Sequence, residues 1–100
     1  MKLNVFDRVT LLGILPPPEG DYLTFKIRAN LKAELSFSEE ELKECNIIQA
    51  DGIVKWDRSI DKEIEVGDKA KEIICASLKK HLDEAGKINE QNVSLYEKFI

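Results

Sequence analysis

Two β-rich runs, Ile47-Ile48-Gln49-Ala50 and Ile53-Val54-Lys55-Trp56, are joined by Asp51-Gly52. An Asp-Gly pair accepts the positive φ angles of a type I′ turn, so this stretch predicts a two-residue hairpin. In that register Ala50 faces Ile53 and Ile47 faces Trp56. Trp56, Val54 and Ile47 then share the face that packs on the rest of the chain, while Lys55 points away. A hairpin in the middle of an otherwise helical sequence restricts the fold to the α+β class.

The helical signals lie on both sides of it. Asn4 caps a helix over residues 4–13, with Val5, Val9 and Leu12 at helical spacing and Phe6 beside them. Gly13 and Pro16-Pro17-Pro18 end it, and the prolines form a short extended strut. A second helix spans 21–35 from an Asp21 cap, with Leu23, Ile27, Leu31 and Leu35 recurring every fourth residue and Arg28 and Lys32 facing solvent. Ser38 and Glu41 make an S-x-x-E capping box with Phe37 and Leu42 as its hydrophobic staple, so a short helix runs from 39 to 45 and Asn46 terminates it. After the hairpin, residues 57–61 are a loop and residues 62–66 a candidate third strand, with Ile64 and Val66 on one side. The longest helix spans about 68–85, capped by Asp68 and ended by Gly86; its face carries Ala70, Ile73, Ile74, Ser77, Leu78, His81, Leu82 and Ala85. A last helix covers 90–99 from an Asn89 cap, with Val93, Tyr96, Phe99 and Ile100.

The expectation is therefore a helix-dominated α+β fold in one domain over residues 1–100: three N-terminal helices, a hairpin or small antiparallel sheet, and two C-terminal helices. One hundred residues, 43% apolar and 34% charged, suffice for one core under a solvated shell. The formal net charge of −4 argues against broad phosphate binding. There is no signal-peptide pattern and no run approaching the roughly 20 apolar residues of a membrane span. The chain reads as cytoplasmic, with Cys45 and Cys75 as buried or half-buried free thiols.

Chemistry is hard to place. His81 is the only histidine, on or beside an apolar stripe, and reads as a partly buried structural group. No C-x-x-C or H-x-x-x-H spacing offers a metal site, and no glycine-rich loop cradles a phosphate. The expected cofactor and metal complement is none. An enzyme with a site near His81 is one alternative, and it requires a pocket there with carboxylates or Tyr96 in reach. A winged-helix DNA-binding protein is the other, since helix, helix, helix, hairpin is its order. Its reading element would then be 38–46, which carries Glu39, Glu40, Glu41 and Glu44 against one lysine, Lys43, and repels phosphate.

The stretches Leu3-Asn4-Val5-Phe6-Asp7-Arg8-Val9, Leu11-Leu12-Gly13-Ile14-Leu15-Pro16, Leu35-Ser36-Phe37-Ser38-Glu39-Glu40-Glu41 and Ser94-Leu95-Tyr96-Glu97-Lys98-Phe99-Ile100 resemble small proteins of bacteriophage or mobile-element type. The likeness runs nearly end to end. That family carries no assigned activity or catalytic residue, so the resemblance implies only an accessory, cytosolic role on a host or phage protein.

The leading expectation is a non-enzymatic protein-binding module, with a homodimer as one form of it. The candidate contact residues are Glu39, Glu40, Glu41 and Glu44, an acidic patch for a basic partner surface, and the terminal Tyr96, Phe99 and Ile100, which dock either into the chain's own core or into another subunit.

Overall fold

The computed structural model describes residues 1–16 and 19–100. In chain order the elements are β1 (Lys2–Leu3), α1 (Val5–Ile14), α2 (Tyr22–Leu35), α3 (Glu39–Glu44), β2 (Ile48–Ala50), β3 (Ile53–Lys55), β4 (Lys62–Glu63), α4 (Asp68–Leu78) and α5 (Val93–Phe99). The fold is α+β and dominated by helices, as the sequence predicts. The expected strut at Pro17 and Pro18 lies outside the described residues.

Local chemistry sets most of the boundaries. The Ser38–Glu41 box forms in both directions and opens α3. A second box opens α1: Asn4 Oδ1 accepts the Asp7 amide at 2.8 Å, and Asp7 Oδ2 accepts the Asn4 amide at 3.2 Å. Asp21 caps α2 through the Thr24 amide. Asn46 closes α3 with φ 52°, and Asp51 (φ 52°) and Gly52 (φ 74°) take the two positive angles that the type I′ turn demands. The hairpin register is the expected one, with Ala50 opposite Ile53 and Gln49 opposite Val54.

Several expectations need correction. Gly13 lies inside α1, which runs on to Ile14; one glycine costs a helix only about 1 kcal/mol, too little to end it. Residues 62–66 do not extend the hairpin. Lys62–Glu63 pairs antiparallel with Lys2–Leu3, a strand too short to show a period in sequence, and Ile64 continues the contact by donating its amide to the Met1 carbonyl at 2.8 Å. Asp68 is the first residue of α4, not its cap; Gly67 holds that place and makes no side-chain bond. The long helix does not stay α-helical to 85: it widens into a π turn at Lys79–Asp83. His81 on that turn is exposed, and so are Ala85 and Leu23 at the ends of their stripes. Arg28 is not simply solvated, because its Nε donates to the Pro16 carbonyl at 2.6 Å. Asn89 acts one turn early: its side chain accepts the amides of Gln91 and Asn92, and α5 starts at Val93.

The core gathers Leu3, Leu11, Leu31, Leu35, Ile64, Ile74, Leu78, Leu82, Leu95 and Phe99. These come from β1, α1, α2, α4 with its π turn, α5 and the residue after β4. No described residue between 36 and 61 belongs to that cluster or to the half-buried apolar groups packed on it. The segment 36–61, comprising α3 and the hairpin, is thus a lobe set beside that cluster, and its own fully buried apolar residue, Cys45, lies outside the cluster.

Candidate functional site

One side chain makes most of the polar ties between the lobe and the rest of the chain. Arg8, on α1, is fully buried. Its Nε donates to the Leu35 carbonyl at 3.1 Å, and Nη2 donates to the Ser36 carbonyl at 2.6 Å. Nη1 and Nη2 grip Glu41 Oε2 and Oε1 at 2.6 and 3.2 Å. The guanidinium carbon lies 4.1 Å from the centre of the Phe37 ring. A planar fork with five donors suits this task, since it satisfies the end of α2, a carboxylate of α3 and an aromatic face together. The hydrogen bonds from Arg8 hold the Glu41 carboxyl down at about 2, against an ordinary value of 4.5. Two further contacts support the attachment. The Val5 amide donates to Ser59 Oγ at 3.3 Å, and the Phe6 and Trp56 rings lie 6.5 Å apart.

Between lobe and core runs an apolar groove of about 570 Å³, open to solvent. One wall is α1, where Val9, Leu12 and Gly13 stand at i, i+3 and i+4 and so share a face. The other is the inward face of the hairpin, Ile47, Gln49 and Val54, with Phe37 and Leu42 of the α3 segment at the end. Gln49 is the only polar side chain among the described residues of the lining. A Cβ built on Gly13 meets nothing within 4 Å, so this glycine leaves a notch in the α1 wall. Leu42 remains 38% exposed, so its staple with Phe37 is incomplete.

The acidic patch divides. Glu41 is committed to Arg8, whereas Glu39, Glu40 and Glu44 are exposed on α3. Residues 36–61 hold seven carboxylates against three basic groups, and the rest of the chain holds twelve of each. The whole net charge of −4 therefore sits in the lobe.

The terminal residues are placed elsewhere. Phe99 is buried in the chain's own core beside Leu95. The Tyr96 hydroxyl donates to Asp83 Oδ2 at 3.0 Å; burial and that carboxylate push its titration upward. Ile100 alone is largely exposed. Lys98 anchors the same helix to buried Asp7 at 2.9 Å. These residues do not meet the acidic patch.

The alternatives fare differently. A groove of about 550 Å³ at His81, also open to solvent, is lined by Leu15, Pro16, Thr24, Ile73, Ala76, Ser77 and Lys80; no carboxylate and no Tyr96 is among its described lining. Among the described residues no group of three or more His, Cys, Asp or Glu could hold a metal ion, and both cysteines are free thiols. The helix-helix-helix-hairpin order is present, but α3 spans only six residues and is acidic, and β1 pairs with β4 and not with the hairpin. No helix among the described residues is long and apolar enough to cross a membrane.

Arg8 and the groove were missed by sequence reasoning. A signal existed for Arg8: it stands three residues from both Val5 and Leu11, among the apolar positions of α1, where a solvated arginine does not belong. The groove had none, because its walls come from segments some thirty residues apart. Comparisons with family models, with curated proteins and with solved structures find no match.

Proposed function

We propose that this chain is a small protein-binding modulator that works in the cytoplasm and receives a partner in the groove between α1 and the lobe. The observation that carries the reading is the groove's lining: of its nine described residues, eight are apolar or glycine and the ninth is Gln49. Small-molecule sites place several polar groups to fix a ligand's orientation, whereas a surface for another protein needs an apolar centre and a charged rim. The groove has the second composition. The likeness to phage and mobile-element proteins finds no support in the comparisons; it suggests the type of partner, a host or phage protein, and nothing about the site.

The test is a differential capture. The wild-type chain and the Gly13→Phe variant are each exposed to a lysate of the native cell. Gly13 is helical with open space at its Cβ, so the variant should keep the fold, with its ring projecting from the α1 wall of the groove. A protein retained by the wild type and lost by the variant supports the reading. Identical captured sets from the two chains refute it.

A further inference from the structure

We infer that the occupant of the groove is an amphipathic α-helix whose apolar face is flanked by lysine or arginine; this rests on the binding reading above and adds the partner's chemistry.

The case for a helix comes from what the walls offer. The hairpin turns its face to the groove, through Ile47, Gln49 and Val54, and not its edge. Side chains are therefore on offer and main-chain ladder bonds are not. An extended segment laid on such a face gains no main-chain bonds from it, whereas a helix satisfies its backbone internally and presents a continuous apolar stripe. The α1 wall has the matching relief. Val9 and Leu12 form a ridge, and Gly13 beside them is a notch that takes a large side chain from a helix packed alongside. The exposed Leu42 completes the end of the groove.

The case for basic flanks comes from the rim. Both charged residues of α1, Asp7 and Arg8, are buried, so that wall presents no charge. The opposite wall belongs to the acidic lobe, seven carboxylates against three basic groups, with exposed Glu39 one turn before the lining Leu42 and Asp51 beside the lining Gly52; Glu40 and Glu44 stand on the far side of α3 from Leu42 and add to the lobe's field. Lys55 stands on the outer face of the hairpin with Ile48 and does not offset them. A helix with acidic flanks meets repulsion there, and one with basic flanks is steered in and oriented.

The experiment uses the full chain and synthetic helical peptides of about 18 residues, some five turns. One carries a leucine stripe with lysine flanks, a second the same stripe with glutamate flanks, and a third the lysine composition with the stripe scrambled. Binding is read by amide chemical shifts and calorimetry. The lysine peptide should shift Val9, Leu12, Gly13, Leu42, Ile47 and Val54, and should bind at least about tenfold tighter than either other peptide. Gly13→Phe should weaken it about tenfold or more. The triple variant E39Q/E40Q/E44Q, which leaves Glu41 and its arginine intact, should weaken it several-fold and flatten its salt dependence. Equal binding of the glutamate peptide overturns the charge assignment. Equal binding of the scrambled peptide overturns the helix. Shifts confined to another surface overturn the site. Self-association of the free chain through these same resonances assigns the groove to a second copy and overturns the occupant. If a groove-dependent protein is captured from lysate while no cationic helix binds, this inference fails and the proposed function stands. If capture is indifferent to Gly13→Phe, the proposed function fails first.

Discussion

Replacing Arg8 by methionine removes the fastening of the lobe while keeping an unbranched apolar side chain in its place. Three groups lose the guanidinium: the Leu35 carbonyl, the Ser36 carbonyl and the Glu41 carboxylate, which keeps only the Ser38 amide. Removing one member of a buried ion pair costs about 3–5 kcal/mol. Glu41 keeps 14% of its side-chain surface in water, which places this case near the lower end, about 3 kcal/mol. The stranded Leu35 carbonyl, whose bond is buried, adds about 1 kcal/mol. The expected total is about 4 kcal/mol, a large share of the roughly 5–15 kcal/mol that holds a domain of this size. Trp56, the chain's single tryptophan, lies tilted against Phe6 and reports on lobe docking. Urea titration followed by its fluorescence should show the full loss, and the helical circular dichroism signal should move by no more than that. The double variant R8M/E41Q should recover part of the loss, since the orphaned charge is then absent. A loss under about 1 kcal/mol at Trp56 would refute the argument, because water or other donors would then be replacing the guanidinium freely.

Other perturbations follow from the same geometry. Because the folded value of Glu41, about 2, lies below its ordinary 4.5, the pair contributes in full above pH 4.5 and is lost as pH falls toward 2. Acid titration of Glu41→Gln should therefore lack a segment of up to about 3 kcal/mol present in the wild type, and superimposable profiles would contradict this. Gly52→Ala should cost about 1 kcal/mol or more, read by thermal unfolding, because φ 74° strains any residue with a Cβ; an unchanged midpoint would contradict it. Leu95→Ala, in the centre of the core, should cost about 2–5 kcal/mol in urea, and Ile48→Ala on the exposed outer face of the hairpin under about 1 kcal/mol; equal costs would place the core wrongly.

Legibility tracked the range of the interactions. The Ser38–Glu41 box, the Asp21 cap and the Asp51-Gly52 turn are each written within five residues, and each forms as read. Features that depend on distant partners were hidden. The pairing of Lys2–Leu3 with Lys62–Glu63 joins two-residue strands about sixty positions apart. The π turn at Lys79–Asp83 leaves the apolar spacing of Ile74, Leu78 and Leu82 intact, so periodicity does not reveal it. At the candidate site the acidic residues were legible, but their division was not: Glu41 looks like its neighbours until Arg8 arrives from α1, thirty-three positions away. Phe99 looked available because its stripe was read without Leu95, which is fully buried and shows that the face turns inward.

Native-state hydrogen exchange in wild-type protein tests the central claim most directly, that a lobe fastened chiefly by one arginine stands beside a core cluster to which it contributes no residue. The backbone amides of β2 and β3 should exchange through an opening that costs several kcal/mol less than the opening that frees the amides of Ile74 and Leu78 in α4. That opening should depend only weakly on denaturant, since little of the core is exposed by it. Hairpin and α4 amides that exchange with one common free energy and one common denaturant slope would show a single cooperative body, and the lobe would not exist as a separable element.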